Sequence, residues 1–231
     1  MGVRNIVDSM GSKPFFVRAI DRYFARNVSQ TATAGFFRPS GISDCARFNL
    51  YCYIGVAKFS DFDVASIKRM ERGTRHHDIW LEIFKKAGLA VRPGKRLEVQ
   101  DPCIKGTPDW IVSDGDGLDW LIEWKSTSWF ADPSWEQTVQ WSLYSYMTGV
   151  HQGYIVKEDP ASWDLFPIKM KLEDKFIEHL LDWLRNIEKC AVGHNMLERD
   201  SRCGNEWNAV ACDLYSLCHS KRGEDPWRVK K

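Results

Sequence analysis

Gly106-Thr107-Pro108-Asp109-Trp110-Ile111-Val112-Ser113-Asp114-Gly115-Asp116-Gly117-Leu118-Asp119-Trp120-Leu121-Ile122-Glu123-Trp124-Lys125-Ser126-Thr127 is the stretch on which the fold turns. Ile104 to Ser113 and Leu118 to Thr127 are rich in aromatic and β-branched residues and read as strands, joined by an Asp114-Gly115-Asp116-Gly117 turn. Successive side chains of a strand face opposite ways, so Glu123 and Lys125 share one face while Ile122 and Trp124 take the other. A hairpin symmetric about Asp116 sets Asp109 opposite Glu123 and Thr107 opposite Lys125. Two carboxylates within about 5 Å, the spacing of cross-strand Cβ atoms, repel unless a cation sits between them. Hard oxygen donors on a site open to phosphate suit Mg²⁺ or Mn²⁺. A lysine beside such a metal holds or deprotonates an attacking water and stabilises the developing charge. Trp120, Leu121, Ile122 and Trp124 imply a buried strand, where a carboxylate and a lysine need a reason to be. The plainer alternative is a solvated strand face with opposite charges.

Outward from the hairpin, helix and strand patterns alternate. Residues 13 to 28 read as a short amphipathic helix carrying Arg18, Arg22 and Arg26 on one basic face, and Thr31 to Gly35 as a flexible joint. Ser43 or Asp44 is placed to cap a helix running to about Ile54. A second helix is expected from about Asp61 to Ala87, with Ile67, Met70, Thr74, His77, Leu81 and Phe84 as its inward stripe. Lys95 to Gln100 reads as a strand. Asp132-Pro133 opens a helix that ends at Gly149. Gly153 to Lys157 and Trp163 to Met170 are further strands, and Glu173 to Val192 a long helix. The order predicts an α/β fold with a central mixed sheet flanked by helices. A single domain over residues 1–231 is expected, with a helical extension at 1–40 and a Cys-rich tail at 193–231.

Composition narrows the function classes. With 44% hydrophobic and 27% charged residues the chain is neither disordered nor fibrous. Lys plus Arg (32) against Asp plus Glu (31) leaves a net charge of +1, so any nucleic-acid contact must come from a local patch. No apolar run approaches the roughly 18 to 20 residues of a membrane span, and Met1 to Ile6 carries no signal-peptide core. A cytosolic location is the expectation. Seven cysteines then argue for a metal or cofactor rather than a disulfide framework.

Gly106-Thr107-Pro108-Asp109 followed by Glu123-Trp124-Lys125-Ser126-Thr127 resembles the signature of the PD-(D/E)xK nuclease superfamily. The likeness is strongest to its RecB-type exonuclease branch, which includes CRISPR-associated RecB-like nucleases and many phage exonucleases. Gly73-Thr74-Arg75-His76-His77 is similar to that branch's Gly-x-x-x-His helix, whose histidine is a metal ligand; this carries over to His77. His76 projects about 100° away and is the alternative if the register differs. Gln140-Trp141-Ser142-Leu143-Tyr144 resembles the Gln-x-x-x-Tyr helix, both of whose side chains line the active site, with Gln137 as an alternative to Gln140. Ser43-Asp44-Cys45-Ala46-Arg47 resembles the segment bearing the first cluster cysteine. The resemblance spans about Ser43 to Cys218.

The resemblance implies a restriction-endonuclease-like core and a metal-dependent DNA exonuclease. Asp109 and Glu123 would hold one or two Mg²⁺ or Mn²⁺ ions, His77 would complete the coordination, and the Trp124 carbonyl is a further ligand. Lys125 would position the water, while Gln140 and Tyr144 orient the scissile strand or the lysine. Arg47, Arg18, Arg22 and Arg26 would track phosphates and Trp129 would stack bases. Single-stranded DNA or DNA ends are the implied substrate, and recombination or replication proteins the implied partners.

In members with an iron–sulfur cluster one cysteine precedes the core and three follow it. Here these are Cys45, then Cys203, Cys212 and Cys218. Cys212 and Cys218 keep the family's Cys-x5-Cys spacing. Cys203 and Cys212 stand further apart than the family's Cys-x2-Cys, so Cys190, His194 or His219 are alternatives to Cys203. Four thiolates suit a 4Fe–4S cluster, or zinc as the alternative, and would pin the tail onto the Cys45 helix. Cys52 and Cys103 read as ordinary buried thiols. Two competing classes are a cluster- or zinc-stapled nucleic-acid-binding module without catalysis and, last, a redox protein, for which no flavin or dinucleotide glycine loop is present.

Overall fold

The hairpin at the centre of the sequence forms in the expected register. In the computed structural model, which describes residues 14–26, 34–56, 64–199 and 218–219, Trp110 pairs with Ile122, Ile111 with Leu121, Val112 with Trp120 and Ser113 with Asp119. The strands are β4 (Trp110–Ser113) and β5 (Asp119–Ser126). Asp114 closes the turn, its carboxylate accepting from the backbone N–H groups of Asp116 and Leu118.

The expected strand over Ile104 to Ser113 is two strands in different sheets. β3 (Cys103–Gly106) pairs with β2 (Leu97–Gln100) as a separate two-stranded sheet, and Thr107-Pro108-Asp109 breaks the run. Pro108 cannot donate to a ladder. Gly94 packs against it so closely that a Cβ there would lie 1.7 Å from the Pro108 carbonyl oxygen. The strand β1 (Ala90–Pro93) is not signalled by the sequence; it is short, ends in proline and sits at the edge, where a missing N–H is tolerated.

The main sheet has the order β1-β4-β5-β6-β7, with β6 at Gln152–Glu158 and β7 at Leu165–Lys171. All neighbours are antiparallel except β5 and β6, which run parallel. A parallel pair needs a crossover, and the helix α4 (Trp135–Thr148) supplies it. Its cap is Ser134, in a reciprocal capping box with Gln137, rather than the expected Asp132. It ends at Gly149, with φ of 71°. Trp163 also departs from expectation: it sits in a turn with φ of 67°, not in the following strand.

Helices cover both faces. The others are α1 (Phe15–Arg26), α2 (Ala46–Tyr53), α3 (Val64–Lys86) and α5 (Asp174–Val192), with a short 3₁₀ turn at Pro39–Gly41. Cys45, not Ser43 or Asp44, caps α2, its sulfur accepting from the Phe48 N–H. One face of the sheet packs an aliphatic core of Leu121, Ile155, Leu143, Leu184 and Ile187 around Trp141 and Tyr51. The other packs α3 through Trp80, Trp110, Ile122, Trp124 and Val156. That aromatic layer is edge-to-face: the Trp110 and Trp124 rings stand 5.4 Å apart at 73°, and Phe84 meets Trp110 at 86°. Such pairs add about 0.5 to 1.5 kcal/mol each beyond their buried area. No helix among the described residues is long and apolar enough to cross a membrane.

Candidate active site

Where β4 stops and β5 continues, the ladder leaves an N–H without a backbone partner. The last pair is Trp110 with Ile122, and the next inward-facing donor, the Trp124 N–H, goes to Asp109 Oδ2 at 2.7 Å. The break in the strand thus turns Asp109 from a ladder residue into a side-chain acceptor beside Glu123. His77 Nδ1 lies 3.3 Å from Asp109 Oδ1. Glu123, Lys125 and Gln140 close a triangle: Lys125 Nζ donates to Glu123 Oε1 (2.9 Å) and to Gln140 Oε1 (2.8 Å), and Gln140 Nε2 donates to Glu123 Oε1 (2.6 Å).

Three elements deliver these groups to one cavity of about 610 Å³. The hairpin brings Asp109, Glu123 and Lys125, α3 brings His77, and α4 brings Gln140 and Tyr144 one turn apart. Gln137, Trp124, Arg72, Gly73, Ser40 and Thr107 are among the residues on its walls. Gly106 makes room for Tyr144, since a Cβ there would lie 2.8 Å from the ring. Gly73 is different: a Cβ there meets nothing within 4 Å, so protein packing does not require glycine on this cavity wall.

The electrostatics are those of crowded acids. Burial, opposed by the Trp124 N–H and Lys125, pushes Asp109 up to about 6. Burial and then the Asp109 charge push Glu123 up to about 7, against Lys125. Burial lowers His77 and raises Tyr144. Glu123 Oε2 is buried without a hydrogen-bond partner, and an orphaned carboxylate oxygen is costly unless something cationic meets it. Among the described residues no three His, Cys, Asp or Glu side chains form a ready-made metal cage. A cation here would therefore draw its charge from one or two carboxylates and complete its shell with neutral donors, water or substrate oxygens, which is the habit of Mg²⁺ and suits Mn²⁺. In that sense the residues fit the metal.

Other expected site residues lie elsewhere. Arg47 does not face the cavity; it is buried, with its Nε donating to the Tyr51 hydroxyl. Arg18 and Arg22 sit on α1, which packs on α3 with Asp21 paired to Lys68, and neither lines the cavity; the Arg26 side chain is outside the described residues. Trp129 is 72% exposed, on the segment after β5. Besides Lys125, the basic groups at the site are ones the sequence did not single out. Arg72 lines the main cavity, while Arg38, Arg96 and Lys105 line an adjoining cavity of about 320 Å³ that shares Ser40, Thr107 and Tyr144 with it. They come from three separate segments, so no periodicity marks them. Lys157, beside Lys125 in the ladder, is also buried, its ammonium spent on the carbonyls of Ala131 (2.6 Å) and Asp132 (3.4 Å). His76 contacts Glu158 instead of the cavity.

Of the cysteines, Cys45 is half-buried at the α2 cap and Cys218 is buried. Cys218 interacts with Tyr51 of α2, and its carbonyl accepts from Arg199. Cys203 and Cys212 lie outside the described residues. Cys52 and Cys103 are half-buried, with burial pushing the Cys52 thiol up to about 12 and raising Cys103.

No protein-family model matches this sequence, and no curated protein does. Solved structures do. The protein SSO0001 superposes with a TM-score of 0.52 at 14% identity, over 87% of this chain and 98% of its own. The alkaline exonuclease LHK-Exo from Laribacter hongkongensis superposes with a TM-score of 0.50 at 16% identity, over 75% and 93%. The fold is nuclease-like. At these identities the likeness speaks for the architecture, a mixed sheet flanked by helices, and the chemistry rests on the site.

Proposed function

We propose that this protein is a Mg²⁺- or Mn²⁺-dependent DNA exonuclease of the PD-(D/E)xK, RecB-like type, acting on DNA ends with single strands preferred. The observation that carries the reading is the buried, partnerless Glu123 Oε2 beside Asp109, with Lys125 on the same strand face. Asp109 and Glu123 would hold the metal, with His77 and the Trp124 carbonyl as further ligands. When bound, the metal supplies Lewis-acid polarisation of the phosphoryl group. Lys125 holds the attacking water and faces the charge that develops on the phosphate. Gln140, bonded to both Glu123 and Lys125, keeps the lysine aimed, and Tyr144 forms the wall between the main cavity and the basic annexe. Arg72, with Arg38, Arg96 and Lys105 in the annexe, supplies the local positive charge that a net +1 chain needs to hold a phosphate backbone. Trp129 offers a stacking face.

The reading includes a metal centre at Cys45, Cys203, Cys212 and Cys218, an iron–sulfur cluster in preference to zinc. Two features support it. Cys45 sits at a helix N-terminus, where a thiolate is favoured, and Cys218 is buried against the same helix at Tyr51. Iron, sulfide and zinc analysis after anaerobic purification tests this part.

The central experiment is digestion of end-labelled single- and double-stranded DNA with Mn²⁺, by the protein and its Lys125→Ala variant. Release of mononucleotides from ends by the first and not the second is expected. Binding without cleavage in any divalent metal would favour the non-catalytic module.

A further inference from the structure

The most completely buried carboxylate among the described residues plays no part in that chemistry. Glu158 closes β6 with 0% exposure, on the opposite face of the sheet from Glu123. Both its oxygens are engaged. Trp124 Nε1 donates to Oε2 at 2.9 Å, and His76 Nδ1 lies 3.1 Å from Oε1 and 3.2 Å from Oε2. Each of those partners is the sequence neighbour of a site residue: His76 precedes His77 on α3, and Trp124 lies between Glu123 and Lys125 on β5.

We infer that Glu158 is a positioning residue, a clamp that sets the distance between the His77 helix and the Glu123–Lys125 strand from behind the sheet. The inference rests on the nuclease reading for its consequence, not for its geometry. The physical case is one of rigidity. α3 meets the sheet mainly through tilted and edge-to-face rings, whose contacts are less directional than hydrogen bonds; hydrogen bonds fix the register of one element on another. Glu158 supplies directional bonds to both elements at once. Its backbone carbonyl also accepts from Thr127 N–H at 2.8 Å, extending the β5–β6 ladder past the lysine. Trp163 covers the clamp, its ring 5.9 Å from His76 and 5.7 Å from Trp80, from a left-handed backbone conformation that bulky residues rarely adopt.

The test uses Glu158→Gln, His76→Ala and His76→Asn, the last retaining a donor near the Nδ1 position. The first readout needs no activity: imidazole ¹H–¹⁵N spectra of the metal-free protein. Glu158→Gln and His76→Ala should shift the His77 ring signals, and His76→Asn should return them toward wild type. The second is Mn²⁺ titration calorimetry with steady-state cleavage. Mn²⁺ affinity and kcat should each fall about tenfold, the lower end for groups that orient metal ligands, with KM for DNA within about twofold. A folded Glu158→Gln protein with a lowered melting temperature but unchanged His77 signals and Mn²⁺ affinity would overturn the clamp. If Glu158→Gln does not fold, His76→Ala, which keeps the Glu158–Trp124 bond, decides by the same spectra. A wild-type protein that never cleaves DNA sinks the nuclease reading while the His77 spectra still decide the clamp.

Discussion

Glu123 and Glu158 stand on adjacent parallel strands, 2% and 0% exposed, facing opposite sides of one sheet. Glu158 has partners for both oxygens and an aromatic layer around it. Glu123 takes two donors, Lys125 and Gln140, both on Oε1, and none on Oε2. Its ionisation is further opposed by Asp109. Equal burial therefore conceals opposite physics. A satisfied buried carboxylate adds directional rigidity, whereas an unsatisfied one stores a free-energy cost that a bound cation can relieve.

The sharpest way to break that contrast is to remove the charges on the strained face. Glu123→Gln and Asp109→Asn keep shape and lose the negative charge, so each should abolish cleavage and Mn²⁺ binding by calorimetry. Unchanged metal affinity in both would place the metal elsewhere. Lys125→Ala should lower kcat by about 10² to 10³, the typical cost of one lost charge-stabilising donor, with the DNA dissociation constant nearly unchanged. Retention of more than about a tenth of the rate would remove the lysine from the chemistry.

On the aromatic face the currency is stability. Trp80→Ala should cost about 3 to 5 kcal/mol in urea unfolding, while cleavage per folded molecule falls far less than in Lys125→Ala. The strained face predicts the reverse sign. In chelator, Glu123→Gln should melt higher than wild type, because the substitution removes a buried carboxylate set beside another; a lower melting temperature would mean the site is not strained. The smallest effect is at Gly73. Gly73→Ala should gain up to about 1 kcal/mol of helix stability and lower kcat/KM severalfold, since the methyl projects into the cavity. Full activity in that variant would take this wall out of the substrate's path.

The contrast also shows which parts of the molecule were legible beforehand. Glu123 and Lys125 could be placed on one face, and Asp109 opposite, because strand alternation and a four-residue turn leave little freedom in a hairpin. His77, Gln140 and Tyr144 were readable from the resemblance and from helical spacing. Arg47 departs from what the resemblance implies because a motif reports which residue follows a cysteine, not what packs on it; here it is buried with its guanidinium on the Tyr51 hydroxyl. The annexe arginines and lysine come from segments far apart in the chain, and nothing local announces that they converge.

By itself, the amino-acid sequence determined the hairpin and its register, the helices, and the alternation that separates a charged from an aromatic strand face, since all of these are set by neighbours within a few residues. Tertiary structure decided the rest. The break at Thr107-Pro108-Asp109 gave Asp109 the Trp124 N–H, the α4 crossover brought Gln140 onto Glu123 and Lys125, and α3 delivered His77 to Asp109 and His76 to Glu158. Only packing settles which buried carboxylate finds partners for both oxygens, because the donors come from elements as far apart in sequence as His76 and Glu158.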